Sequence, residues 1–260
     1  MSTPVPPAPD EDDGQLRMSI LEHLDELRRR LFKVAIAFVL AGAIGLLVAE
    51  PVLQFLKQPY GSNQFITLGP TDSVVAYFRV VLMVAGILAI PVITYQALMF
   101  IMPGLTDRER RYVLFSIPFV TLLFITGVVF TWALLIPPAI GFFNNFMPEL
   151  FVAQWTADRY LGFVTALLFW MGVAFETPLI AFVLSILGIL TPWMLIKQWR
   201  LAIIGAAVAA ALITPTVDPM NMMLVMGPLI ALYALSIVLT AVGIRFSPTS
   251  AEEVPEEVPA

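Results

Sequence analysis

At 260 residues the chain could hold one or two soluble domains, but 59% hydrophobic and only 13% charged residues, with a mean hydropathy of +0.89, lie far outside soluble norms. Fourteen Lys plus Arg are too few to cover a water-soluble globule of this size, so a soluble enzyme is excluded first and an integral membrane protein is expected. The net charge of -5 misleads: Asp10, Glu11, Asp12, Asp13, Glu252, Glu253, Glu256 and Glu257 sit in the tails, and setting these eight aside leaves 11 acids against 14 bases.

The tails, residues 1–17 and 244–260, are rich in proline and acid and poor in large apolar residues, a composition that predicts disorder. Residues 18–243 form the expected membrane domain. No cysteine is present and His23 is the one histidine, so neither a metal site nor a cofactor is expected. No cleavable leader is expected at the amino terminus, because its first apolar run is about a full span long and starts at Leu31 behind a basic cluster.

In chain order, Ser19 to Leu31 carries Ile20, Leu21, Leu24, Leu27 and Leu31 on one helical face, with Ser19 and Glu22 spaced as a capping box. This segment is expected to lie along the cytoplasmic membrane surface and lead into span one. Crossing about 30 Å of hydrocarbon takes about 20 apolar residues. Runs of that length occur near Leu31 to Ala49, Val74 to Phe100, Tyr112 to Ile136 and Tyr160 to Leu187. The remainder divides at the turn-rich break Thr214 to Pro219 into a fifth and a sixth span. The fifth has an uninterrupted apolar run only from Leu201 to Ile213, so either it begins earlier, near Trp193, or the bilayer thins there. Pro91, Pro118, Pro178 and Pro228 fall inside four spans and are expected to bend them, although membrane helices tolerate proline generally. Arg17, Arg28, Arg29, Arg30, Lys33, Arg108, Arg110, Arg111, Lys197, Arg200 and Arg245 fall on one side of this arrangement, and only Lys57, Arg79 and Arg159 on the other. By the positive-inside rule both termini are cytoplasmic.

No Gly-rich phosphate loop, HExxH or GxSxG pattern occurs, which leaves carboxylates as the informative groups. Glu26 is spaced for an i,i+4 pair with Arg30, and Glu109 for a capping box with Thr106. Two spans separate Glu26 from Glu109, which returns both to one surface, where two carboxylates suit a ligand carrying two guanidinium groups. Glu176 lies deep in span four, where an ionised carboxylate costs about 2.5–3.5 kcal/mol. It either satisfies carbonyls freed by Pro178 or marks a polar membrane cavity.

His23-Leu24-Asp25-Glu26-Leu27-Arg28-Arg29-Arg30-Leu31, Leu68 to Asp72, Phe100 to Arg111, Phe175-Glu176-Thr177-Pro178, Thr214 to Pro219 and Pro228 to Tyr233 together resemble motifs of the TatC family. That family supplies the multi-spanning receptor of the twin-arginine protein translocase. The resemblance runs from about Ser19 to Gly243 and implies an all-α, six-span, glove-like concave bundle. It implies binding of Arg-Arg signal peptides at Glu26 and Glu109, with Phe100, Leu105 and Arg28 in the same surface. It also implies export of folded cargo driven by the proton-motive force across a prokaryotic plasma membrane, with single-span TatA and TatB partners and self-association in a larger complex. Many relatives carry Gln where this chain has Met222, and Leu-Tyr-Glu where it has Leu232-Tyr233-Ala234. Thr214, Asn221 and Met222 are therefore the candidate contacts to a partner helix. A receptor without enzymatic activity is the first reading and a proton-coupled solute transporter built on Glu176 the second; the paired carboxylates favour the receptor.

Overall fold

The computed structural model describes residues 20–61, 65–101, 107–150, 152–214 and 218–246, with side chains described at all of these except 20, 101 and 107–109. Within a bilayer core every backbone N–H and C=O needs an internal partner, and among the described residues the regular elements are accordingly helical, apart from one isolated bridge between Ile66 and Thr156.

α1 (Ile20–Leu56) is a single helix of 37 residues, about 55 Å at 1.5 Å per residue. The amphipathic segment is thus an unbroken extension of span one, and the separate surface helix expected there does not form. No Gly or Pro stands between the charged face and the apolar run to stop the helix; Pro51 is absorbed near its far end. A short 3-10 turn (Gln58–Tyr60) leads to α2 (Asp72–Ile101), which holds Pro91 inside it. α3 (Asp107–Phe130) contains Pro118 and passes through a π-helical turn (Thr131–Leu135) into α4 (Ile136–Asn144), so that one apolar rod runs from Arg110 to Asn144. α5 (Ala157–Phe175) and α6 (Thr177–Ile186) make up span four, broken at Glu176 two residues before Pro178. α7 (Pro192–Lys197), α8 (Trp199–Ile213) and α9 (Pro219–Gly243) complete the bundle, with Pro228 inside α9.

Five of these rods are long and apolar enough to cross a membrane; α8, with 15 residues, is not. It covers about 22 Å. The alternative start near Trp193 is not adopted, because Gln198 (φ −96°, ψ 17°) leaves the helical region and separates α7 from α8. The Tyr233 hydroxyl donates to Leu195 O at 2.5 Å, so α7 sits beside α9 ten residues short of its last residue, roughly 15 Å below its end.

Side-chain contacts fix how the ends alternate. His23 stacks on Phe100, Tyr112 meets Phe246, and a Cβ on Gly243 would meet Phe182 and Ser185. The start of α1, the end of α2, the start of α3 and the ends of α6 and α9 therefore share one end of the bundle. At the opposite end the Tyr160 hydroxyl donates to Leu56 O at 2.8 Å, Arg79 pairs with Asp158 at 3.1 Å, and Phe142, Phe143 and Phe146 line a cavity with Pro219 and Met220.

The core lies where α2, α5, the π turn with α4, α8 and α9 converge. Val80, Val84, Ile136, Ile140, Tyr160, Val164, Leu167, Met171, Ala210 and Val225 are buried in it. Half of the span window is buried in α2 and in α5–α6, against 11% in α1 and 17% in α9, which makes the first two the central pillars. Close approach of α3 to α5 requires Gly127: a Cβ there would stand 2.7 Å from Phe175 Cγ and 3.0 Å from Gly172 Cα.

Tyr160→Phe is expected to remove the link between the last turn of α1 and the first of α5 while keeping the ring in place. It leaves the Leu56 carbonyl without that partner, a cost of about 1–3 kcal/mol. Thermal unfolding in detergent checks this, and an unchanged midpoint would mean that the α1–α5 contact contributes nothing.

Candidate functional site

Two polar features stand out from this apolar scaffold, one at the basic end and one inside span four. The first begins with Glu26, which α1 presents in one turn with His23 and Arg30. Arg30 Nε donates to Glu26 Oε1 at 3.0 Å, and Nη2 of the same guanidinium reaches the same oxygen. Both side chains are largely shielded, 14% exposed for Glu26 and 16% for Arg30. The i,i+4 spacing anticipated this pair. The structure adds what packs over it. α2 brings Phe100 onto the His23 ring, with centroids 4.1 Å apart and planes inclined by 17°, and sets buried Gln96 with its Oε1 3.5 Å from Arg30 Nη1.

Glu26 Oε2 is different. It is buried and accepts no hydrogen bond among the described residues; His23 Nδ1 stands 3.6 Å away, beyond hydrogen-bonding range. Beside it opens a groove of about 800 Å³ lined by Glu22, Glu26, Arg29, Arg30, Lys33, Phe32 and Met99. Arg28 projects from the same helix into the open and lies over the Phe32 ring at 5.8 Å, and Arg29 pairs with Asp25 at 3.2 Å on the exposed face. Of the residues expected to share this surface, Glu26, Phe100 and Arg28 are therefore gathered at one corner. Glu109 falls in the first turn of α3, at the same end of the bundle, with its side chain outside the described set. Leu105 lies outside the described residues, as do the capping partners Ser19 and Thr106.

The second feature is Glu176. It occupies the break between α5 and α6 with 8% of its surface exposed. Its side chain does not cap α6, and Oε1 is buried without a hydrogen-bond partner among the described residues. The carbonyl-satisfying role considered for it therefore finds no support in the geometry. It is the one charged residue type among the buried polar groups described, and no second buried acid or base stands ready to relay a proton to it.

The hairpin residues take another course. Thr214 and Asn221 are buried, and each is bonded within its own turn: Thr214 Oγ1 donates to Ala210 O at 2.7 Å, and Asn221 Nδ2 to Asp218 Oδ2 at 3.1 Å. Met222 is half-buried against the main core. Sequence reasoning missed Gln96 and the His23–Phe100 stack, which depend on the rotation of α2 against α1. It also missed the Arg79–Asp158 pair at the far end.

An all-helical, multi-pass membrane protein with a charged corner at its basic end is the class defined so far. Comparison with known proteins narrows it. The family model described as Sec-independent protein translocase protein (TatC) matches residues 22–228. A protein of that name from Synechocystis is 37% identical over 229 residues, covering 86% of this chain and 88% of its own. Another from Deinococcus radiodurans is 36% identical over 251 residues, covering 92% and 91%. The crystal structure of a twin-arginine translocase receptor, TatC, superposes with a TM-score of 0.77 at 34% identity, covering 85% of this chain and 99% of that one. The chain belongs to the TatC family of Sec-independent protein translocase proteins, and as such is a component of protein transport by twin-arginine translocation.

A buried carboxyl oxygen without a partner opposes folding, so Glu176→Leu is expected to leave the thermal unfolding midpoint in detergent unchanged or raised. Replacing such a group by an apolar one of similar size is commonly neutral or stabilising. A midpoint lowered by several degrees would instead make Glu176 a structural residue.

Proposed function

We propose that this protein is the signal-peptide receptor of a twin-arginine export system, with the Arg-Arg motif of folded cargo engaging Glu26 and Glu109. The observation that carries the reading is Glu26 Oε2, a shielded acceptor without a hydrogen-bond partner among the described residues, on a side chain that lines a charged groove at the end of the bundle where α3 begins. A guanidinium fork matches a carboxylate edge, and shielding from water strengthens such a contact. Phe100 and Leu105 supply apolar surface for the residues flanking the arginines, and Arg28 sits at the rim.

In this reading the basic end faces the cytoplasm, both termini included, in the plasma membrane of a prokaryote. Single-span TatA- and TatB-type subunits join the receptor, with Thr214, Asn221 and Met222 near the contact, and copies of the receptor associate in the larger complex. The proton-motive force drives cargo across. Glu176 serves a step after signal binding, when a polar group at depth meets the inserted signal or a partner helix. Glu176→Gln is then expected to bind signal peptide normally, whereas Glu176→Leu binds it and loses export.

Orientation is checked by single cysteines, since the native chain has none. Cysteines at Ser62 and Asn145 are expected to label from outside intact cells and those at Thr106 and Ser250 only after lysis; the reverse pattern would remove the cytoplasmic placement of the site.

For recognition, Glu26→Ala or Glu109→Ala is expected to weaken Arg-Arg peptide binding by about 2–5 kcal/mol where the contact is desolvated. Titration of detergent-solubilised protein with Arg-Arg and Lys-Lys peptides at two salt concentrations measures it. Wild-type affinity in both variants would sink the assignment.

A further inference from the structure

The carboxylate assigned to the ligand's arginine already holds an arginine. Arg30 directs Nε and Nη2 at Glu26 Oε1, leaving only Oε2, buried beside the groove, without a hydrogen-bond partner among the described residues. An incoming guanidinium therefore meets half a carboxylate unless Arg30 withdraws. A second acceptor stands ready for it: Gln96 Oε1 lies 3.5 Å from Arg30 Nη1, on the neighbouring helix and buried. A rotation of the long Arg30 side chain toward α2 would free both Glu26 oxygens and still leave its guanidinium a polar partner.

We propose that Arg30 is a built-in competitor for the signal's arginine: it holds Glu26 until a ligand guanidinium replaces it, and Gln96 receives the displaced side chain. The inference rests on the receptor reading above and deepens it. It explains selectivity in physical terms. Arginine for arginine is an even exchange at Glu26, since the newcomer reproduces the same planar fork. A lysine offers a compact, strongly hydrated point charge that cannot reproduce the fork, so it fails to displace the resident. Arg30 thus sets a threshold that only a guanidinium crosses, and it keeps a shielded carboxylate from standing unpaired in the meantime. It is a specificity-determining residue that acts through Glu26.

The test uses the full chain in detergent and two labelled signal peptides, one Arg-Arg and one Lys-Lys. Arg30→Gln is expected to tighten binding of the Arg-Arg peptide by about three- to tenfold, as fits loss of a partly shielded ion pair. It is also expected to narrow the preference over Lys-Lys. Gln96→Leu is expected to weaken Arg-Arg binding in the wild-type background and to have no effect once Arg30 is Gln. In a Glu26→Ala background Arg30→Gln is expected to give no gain. Arg30→Lys, which keeps the charge and loses the fork, is expected to give an intermediate gain and serves as the measurement should Arg30→Gln fail to fold. Equal or weaker binding in folded Arg30→Gln or Arg30→Lys, with Glu26→Ala still impaired, would overturn the competitor and make Arg30 a support that orients Glu26. Undiminished binding in Glu26→Ala would instead sink the receptor site itself, and the competitor with it.

Discussion

Everything in this molecule follows from the requirement that a backbone inside hydrocarbon satisfy its own hydrogen bonds. The five long rods meet it by helix, interrupted at a π turn between α3 and α4 and at a break between α5 and α6. The irregular places are where the chain can afford them through packing. The break at Glu176 is covered by α3, where Gly127 lets Phe175 and Gly172 come close. The π turn puts Thr131 at 0% exposure, with its hydroxyl donating to Gly127 O at 2.7 Å. Polar side chains obey the same rule: Thr165, Ser185, Thr214, Ser236 and Thr240 each donate to a carbonyl of their own helix, three or four residues back.

Against that background Glu26 and Glu176 stand out, each with a buried oxygen that accepts no hydrogen bond among the described residues; Asp158 Oδ1, buried likewise, is held in the ion pair with Arg79. They differ in what surrounds them. Glu26 sits among Arg29, Arg30 and Lys33 at the mouth of a groove, where a charged ligand can arrive from water. Glu176 sits between two helix segments in a span, where only a group already in the membrane can reach it. The receptor reading divides the labour accordingly, with recognition at the surface and a later encounter at depth.

Much of this was legible in the residues. Apolar runs of span length located five rods, and the short run Leu201 to Ile213 announced the short α8. The Glu26–Arg30 pair followed from i,i+4 spacing alone. Other features were not, for identifiable reasons. The continuity of α1 was missed because an amphipathic stretch followed by an apolar one looks the same whether the helix bends between them or not. Pro178 signalled a bend, but the break falls at Glu176, because a proline ring fits the first turn of a new helix more easily than the interior of an old one. Gln96 and Phe100 belong to the charged corner only because of how α2 is rotated against α1, a relation between helices that neither helix encodes by itself.

The π turn at Thr131–Leu135 also bears on how this rod tolerates changes of length. Its closing bond runs from Ile136 N–H to Thr131 O, five residues back instead of four, so one residue more than an α-helix needs is stored there. Each residue of a helix turns the chain by about 100°. Deleting a single residue from this turn would restore regular α-geometry and leave both α3 and α4 close to where they are, because the π turn spreads about the rotation of four α-helical residues over five. Ile136, Ala139 and Ile140 would stay in the core. The turn thus works as a phase adjuster between two halves of one rod. A homologue one residue shorter here would keep the same packing with the same apolar positions from Ile136 onward, by running through as plain α-helix.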